Sequence, residues 1–256
     1  MKQKTLISAY VYGLFIFLMI LALFSASPIF ILAHLWSKKP RIYFQKVVKL
    51  YFKLFYKLMP LIGDIKVEHP EIANSHHPCV YVSTHQSSMD YTLLATIIDD
   101  YVTPSNHFIS DFLLFAKIPK YGLGVYYIPR GELSGAESGY RSFNEALTQG
   151  SSVIIFPEGT RNPNNKLKLF KGGAFRLAIE QNVPIVPIVI NGTGKIVSKG
   201  SNITKTLTKK DVIITFLSPI YPKMNETFPQ FKKRVKNIMQ EFIDVQEKLL
   251  KKDASE

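Results

Sequence analysis

The pattern of apolar and polar positions divides the chain into two unlike parts. From Leu6 to Leu35 no Asp, Glu, Lys or Arg interrupts the apolar run. The run is longer than the roughly 20 residues that cross a hydrocarbon core. It predicts a membrane segment over 6–35 that either crosses the bilayer or bends at Ser27-Pro28 and returns as a hairpin, because proline removes a helical hydrogen bond. Ser25-Ala26-Ser27 offers the small residues of a leader cleavage site, but the apolar run continues past them, which favours a retained segment. Over 41–58, Lys46, Lys49, Lys53 and Lys57 recur at helical spacing on one face, with Phe44, Val47, Val48, Tyr51, Phe55 and Leu58 over much of the rest. An amphipathic helix of this kind suits the headgroup boundary of a membrane. The same pattern also serves a core-facing helix with a solvated lysine face.

Beyond residue 60 the periods shorten and alternate. Gly63 and the polar stretch 69–78 lead into a globular unit. Within it, 79–83, 124–128, 152–156, 185–190 and 212–217 read as strands, and 89–98, 136–147, 174–181 and 231–250 as helices. Such alternation predicts an α/β fold with a mostly parallel sheet flanked by helices. The expected organisation is a membrane anchor over 1–60, made of the apolar segment 6–35 and the basic amphipathic helix 41–58, followed by one domain over 61–256.

Charge sharpens this division. The chain carries a formal +13, yet residues 1–60 hold nine Lys and Arg and no Asp or Glu. A nucleic-acid binder carries its basic excess on the folded domain, so this distribution points away from nucleic acid and towards an anionic membrane surface. Because the larger basic group follows the apolar segment, the remainder is expected on the cytoplasmic side. Cys79 is the only cysteine; it excludes an intrachain disulfide and reads as a small buried hydrophobe.

Two places carry chemistry. After the first strand of the domain comes Ser83-Thr84-His85-Gln86-Ser87-Ser88-Met89-Asp90. On one continuous helix, residues five apart point away from each other. His85 and Asp90 therefore meet only if His85 lies in the turn and Asp90 in the first helical turn. Asp90 can then fix the imidazole tautomer while the other ring nitrogen takes a proton from an attacking hydroxyl. The plain alternative is that Ser87 and Asp90 form a capping box. No G-x-S-x-G spacing marks a serine nucleophile. His76 and His77 flank no partnered ligand motif, so no metal is expected with His85.

The second place is the strand 152–156 running into Pro157-Glu158-Gly159-Thr160-Arg161. Ligands of α/β sheets collect at such strand ends. Arg161 suits a phosphate held by two prongs, with Lys166, Lys168 and Lys171 enlarging the positive site. Gly172-Gly173 opens the following helix, whose free amides suit an anion. Solvated lysines and close helix packing are the plainer readings of the same residues. Gly192-Thr193-Gly194-Lys195 lacks the first glycine and the closing Ser or Thr of a phosphate loop and is set aside.

Together these residues make the chain resemble the glycerolipid acyltransferases, the family that includes the 1-acylglycerol-3-phosphate (lysophosphatidic acid) acyltransferases. Four blocks carry the resemblance in order over roughly 78–192: His85 to Asp90, Gly124 to Arg130, Phe156 to Arg161, and Val183 to Pro187. The resemblance implies an O-acyltransferase of phospholipid biosynthesis, with His85 and Asp90 as catalytic base and orienting partner. It implies an acceptor site of Arg130, Glu158, Gly159, Thr160, Arg161 and Lys171, with Pro184 to Pro187 shaping the acyl or donor site. Its partners would be a phospholipid membrane, a lysophospholipid acceptor and an acyl thioester, acyl-CoA or acyl-carrier protein, with no bound cofactor. Against the family pattern, no lysine stands at Ile109-Ser110-Asp111, and Lys117 and Lys120 are the nearby substitutes. That departure keeps open a lysophospholipid with a larger headgroup. A lipid hydrolase using the same pair on water, or a non-catalytic lipid-binding membrane protein, are the readings of other classes.

Overall fold

A computed structural model describes residues 2–105, 122–128, 133–164, 166–197 and 207–253. Among these residues seven strands form one sheet: β1 (Ile62–Glu68), β2 (Val80–Ser83), β3 (Tyr101–Ser105), β4 (Val125–Tyr127), β5 (Ser152–Ile155), β6 (Ile185–Asn191) and β7 (Lys210–Phe216). Their order is β1-β7-β6-β2-β5-β3-β4, and every neighbouring pair is parallel except β6 with β7. The helices are α1 (Lys2–Ala33), α2 (Pro40–Leu58), α3 (Asp90–Leu94), α4 (Leu133–Thr148), α5 (Gly173–Glu180), α6 (Thr193–Ile196) and α7 (Phe228–Asp253). This is the mixed α/β architecture with a mostly parallel sheet that the alternation predicts.

The central strands are apolar at successive positions because both faces are covered. Val80 and Val82 of β2 and Ile185 and Val189 of β6 join one core with Phe143 of α4, Phe175 of α5 and Phe231 of α7. Tyr81, Val186, Ile188 and Ile190 join the opposite core with Leu93 and Leu94 of α3, Phe52 and Phe55 of α2, and Leu18 and Ala22 of α1. The amino-terminal helices and the sheet therefore share one core.

Two strands carry no clear strand signal in sequence. β1 is an edge strand, paired only with β7 and exposed from Asp64 to Lys66, so its polar residues hide the pattern. In β3, Pro104 argues against a strand. The chain accommodates it because pairing with β5 stops at Val102, while the β4 side of the ladder uses the amide of Thr103 and the carbonyl of Ser105.

Helix α1 runs unbroken through Pro28, so of the two forms left open for the apolar segment the hairpin bent at Ser27-Pro28 is not the one formed. The reversal comes at 34–39, and Pro40 opens α2, where its missing N–H costs nothing. α2 returns along α1: Phe15 packs on Phe52 and Phe55 at 6.4 and 5.3 Å between ring centres, Phe30 on Phe44 at 5.7 Å, and Ser25 Oγ donates to Tyr51 Oη at 3.1 Å. The outer side of α1 leaves Leu6, Ile16, Phe17, Phe24 and Ile31 exposed. With a mean hydropathy of 2.6 over its most apolar window, α1 is long and apolar enough to cross a membrane.

The lysine face of α2 is divided. Lys46, Lys53 and Lys57 are exposed, next to exposed Leu50, Leu54 and Leu58. Lys49 instead reaches the domain, donating to Asp99 at 2.8 Å and to the Ile97 carbonyl at 3.1 Å. Gln45 donates to the carbonyls of Tyr101 and Leu123, and Tyr56 to that of Met89. Burial raises the Tyr56 phenol above its ordinary range. One side of α2 is thus built into the domain, and the other keeps the basic and apolar character expected of an interfacial helix.

Candidate active site

The parallel strands β2 and β5 deliver both predicted places to the same sheet edge, because their carboxyl ends lie side by side. Thr84 is stitched to β6 as β2 ends: its hydroxyl accepts the Ile190 amide at 2.8 Å. The chain then turns through His85 and Gln86, and Asp90 is the first residue of α3. The two side chains meet in the way their spacing requires. His85 Nδ1 lies 2.8 Å from Asp90 Oδ2, with Asp90 fully buried and the His85 side chain 20% exposed.

Asp90 also makes one half of the capping box that the plainer reading proposed, the bond back to the Ser87 amide. Its Oδ2 accepts the amides of Gln86 at 2.6 Å and Ser87 at 2.8 Å, while Ser87 Oγ accepts the Met89 amide at 3.3 Å. Capping and pairing with His85 are therefore one arrangement, because the amides that need a cap fix the carboxylate against the imidazole. With Nδ1–H donated to Asp90, Nε2 is left as the proton acceptor. The imidazole is held from the side by Phe156, whose ring stacks on it at 4.3 Å. Periodicity gave no sign of this contact, since Phe156 reads as the last residue of a strand.

After β5 the loop folds back on itself and on His85. The Asn162 amide donates to the His85 carbonyl at 2.6 Å. Glu158 is buried, and its Oε2 accepts Asn162 Nδ2 at 2.7 Å and the Lys168 amide at 3.0 Å, so this carboxylate organises the loop. Gly159 sits at φ +64°, and a side chain there would strike Lys171 Cε at 2.7 Å. The exposed Lys171 thus lies across Gly159. Arg161 is half-buried, and no hydrogen bond or ion pair holds it among the described residues. Thr160, half-buried, occupies the same turn.

The sequence-predicted residues separate accordingly. His85, Asp90, Glu158, Gly159, Thr160, Arg161 and Lys171 come from two adjacent strand ends, whereas Arg130, Ile109, Asp111, Lys117 and Lys120 lie outside the described residues. Pro184 and Pro187 belong to the body of the sheet: the Pro184 carbonyl accepts the Val80 amide and Pro187 is level with Val82, so this block holds β2 in register. His76 and His77 lie before β2 and His85 after it. Among the described residues no group of three or more His, Cys, Asp or Glu could hold a metal ion. Besides Phe156, a second unforeseen residue touches the pair itself: Thr193 Oγ1 donates to Asp90 Oδ1 at 2.6 Å.

The profile of the family described as Acyltransferase matches residues 64–191, half of the chain, which runs from within β1 to the end of β6 and takes in the two strand ends just described. The chain belongs to the acyltransferase family. Over 156 residues, 59% of this chain and 43% of the relative, it is 39% identical to a chloroplastic 1-acyl-sn-glycerol-3-phosphate acyltransferase of Brassica napus. Over 139 residues, 54% of this chain and 48% of the relative, it is 36% identical to the beta form of the human 1-acyl-sn-glycerol-3-phosphate acyltransferase. The chain thus spans less than half of the length of these curated relatives. The fold of this chain is also that of the 1-acyl-sn-glycerophosphate acyltransferase from Thermotoga maritima, with a TM-score of 0.74 at 22% identity over 96% of each chain.

Proposed function

We propose that the protein transfers a fatty acyl group from a thioester donor, acyl-CoA or acyl-carrier protein, to the sn-2 hydroxyl of 1-acylglycerol-3-phosphate at the cytoplasmic face of a membrane. The observation that carries this reading is the 2.8 Å contact of His85 Nδ1 with fully buried Asp90, which leaves Nε2 as base beside a cationic loop. His85 takes the hydroxyl proton as the alcohol oxygen bonds to the thioester carbon. The tetrahedral adduct then loses the thiolate, and the imidazolium returns its proton to that sulfur. Asp90 stabilises the imidazolium. Arg161 and Lys171, with Arg130, bind the acceptor phosphate. General-base help contributes ~10²- to 10⁴-fold, and holding the two substrates together contributes more. The step needs no metal and no resident cofactor. The names borne by the relatives from Brassica napus and human support this choice of acceptor.

The exposed apolar side of α1 and the lysines 46, 53 and 57 of α2 support a seat at the membrane, with the apolar rows in the lipid and the ammonium groups at the phosphates. The absence of lysine at 109–111 favours a second reading, reacylation of a lysophospholipid with a larger headgroup. Purified protein offered a panel of lysolipids with both thioester donors decides between them by the mass of the diacyl product. Free fatty acid as the sole product would instead identify a hydrolase. His85→Ala is expected to abolish transfer with fold and membrane association retained. A variant that keeps a tenth of wild-type turnover would remove His85 as base, and a wild-type protein that binds lysolipid without turnover would leave the non-catalytic reading.

A further inference from the structure

The carboxylate of Asp90 receives its hydrogen bonds unequally. Oδ2 faces three nitrogens, His85 Nδ1 and the amides of Gln86 and Ser87, all from the turn in which Asp90 itself sits. The torsion that turns the carboxylate plane is an sp³–sp² one with broad wells and carries both oxygens together, so an anchor on the second oxygen narrows the position of the first. The other oxygen is fixed from elsewhere, by the Thr193 hydroxyl at 2.6 Å, and both residues are fully buried. Thr193 follows β6, two residues beyond the stretch matched to the family.

The backbone around Thr193 is shaped for this contact. Gly192 has φ +103°, and a Cβ there would lie 2.2 Å from the Asp211 carbonyl, so only glycine lets the turn sit against β7. On the other side, a Cβ at Gly194 would meet Gln86 Cβ at 3.2 Å, which seats the turn directly on the loop that carries His85. The two glycines thus hold one hydroxyl between the end of β6 and the end of β2.

We propose that Thr193 is a positioning residue for the reaction: it sets the plane of the Asp90 carboxylate, and so the direction in which Oδ2 meets His85 Nδ1. The proposal rests on the acyl-transfer reading above for its kinetic consequence, but not for its structural one. Positioning acts on the chemical step and not on substrate binding. Thr193→Val, which keeps the shape and removes the hydroxyl, should therefore lower kcat about tenfold with both KM values within twofold, and Thr193→Ser should restore kcat. If the valine variant folds poorly, Thr193→Ser against Thr193→Ala asks the same question, since only serine retains the hydroxyl.

A second measurement is independent of turnover. In protein labelled with ¹⁵N-histidine, the Nδ1–H proton of His85 should exchange with water at least about tenfold faster in Thr193→Val than in wild type or Thr193→Ser. Wild-type kcat in Thr193→Val, or a loss that serine does not restore, together with unchanged exchange, would overturn the proposal. If the wild-type protein transfers no acyl group at all, the acyl-transfer reading has failed by itself, and the exchange rates alone decide the role of Thr193.

Discussion

At the scale of single residues, the site is built from side chains that each meet two demands. Asp90 caps a turn and holds an imidazole, and the substitution Asp90→Asn separates the two. An amide oxygen still accepts the Gln86 and Ser87 amides, but it carries no charge to stabilise the imidazolium. Asp90→Asn should therefore keep a wild-type melting temperature to within a few degrees and lose most of its kcat; near-normal turnover would return Asp90 to a capping role only. Arg161 makes a different claim, because nothing among the described residues pairs with it. If its guanidinium awaits the acceptor phosphate, Arg161→Ala should raise the acceptor KM and leave the donor KM unchanged. Losing one charge-assisted bond, on the order of 2 to 3 kcal/mol, predicts roughly 30- to 150-fold in kcat/KM. An effect on the donor KM alone would assign the arginine to the donor. That His85 meets Asp90 was legible because their spacing brings them together only across a turn into a helix. Thr193 and Phe156 were not, because their roles depend on contacts 103 and 71 positions away that no local pattern records.

At the scale of elements, periodicity located what is buried on both sides or on one side, and failed where an element's environment is mixed. β2, β5 and β6 announce themselves as apolar runs, whereas β1 is a half-wet edge and β3 carries a proline where its ladder needs no amide. α2 reads as amphipathic, but its sequence does not say that three kinds of neighbour divide its surface: α1, the domain and solvent. Gln45 tests that division. Its Nε2 donates to the carbonyls of Tyr101 and Leu123 at 2.8 and 2.9 Å inside the protein. Gln45→Ala leaves both carbonyls unpaired, a cost of about 1–3 kcal/mol. Scanning calorimetry should then find the melting temperature lowered by roughly 3–10 °C for a chain of this size, with kcat per folded molecule unchanged. A shift below one degree would mean that α2 is an appendage to the domain rather than part of it.

At the scale of the whole molecule, the two cores make the fold and the membrane seat inseparable. Cys79, fully buried just before β2, reports on global opening, since burial pushes its thiol from 9.0 up to about 11. A thiol reagent should label it only as the chain unfolds. The unfolded thiol ionises first as pH rises, so this group leaves stability unchanged below about pH 9 and lowers it progressively between 9 and 11. Labelling of the folded protein at the rate of a free thiol would mean that the sheet opens locally. The stronger test concerns α1. If it were only a tether, removal of residues 2–33 would release a soluble, active domain. In the structure, Val11, Leu18, Ala22 and Ala26 of α1 are buried in the same core as Phe44, Phe52 and Phe55 of α2, which in turn hold the sheet. Deletion therefore uncovers a continuous aromatic surface at about 25 cal/mol for each Å² of apolar area returned to water, and exposed apolar patches of that kind drive association. The truncated chain is expected to elute from a sizing column as aggregate, and detergent should disperse it with a lowered melting temperature. A monomeric truncated chain with wild-type stability and turnover on detergent-dispersed substrate would instead show that the hydrophobic core closes without α1, and that the helix serves the membrane alone.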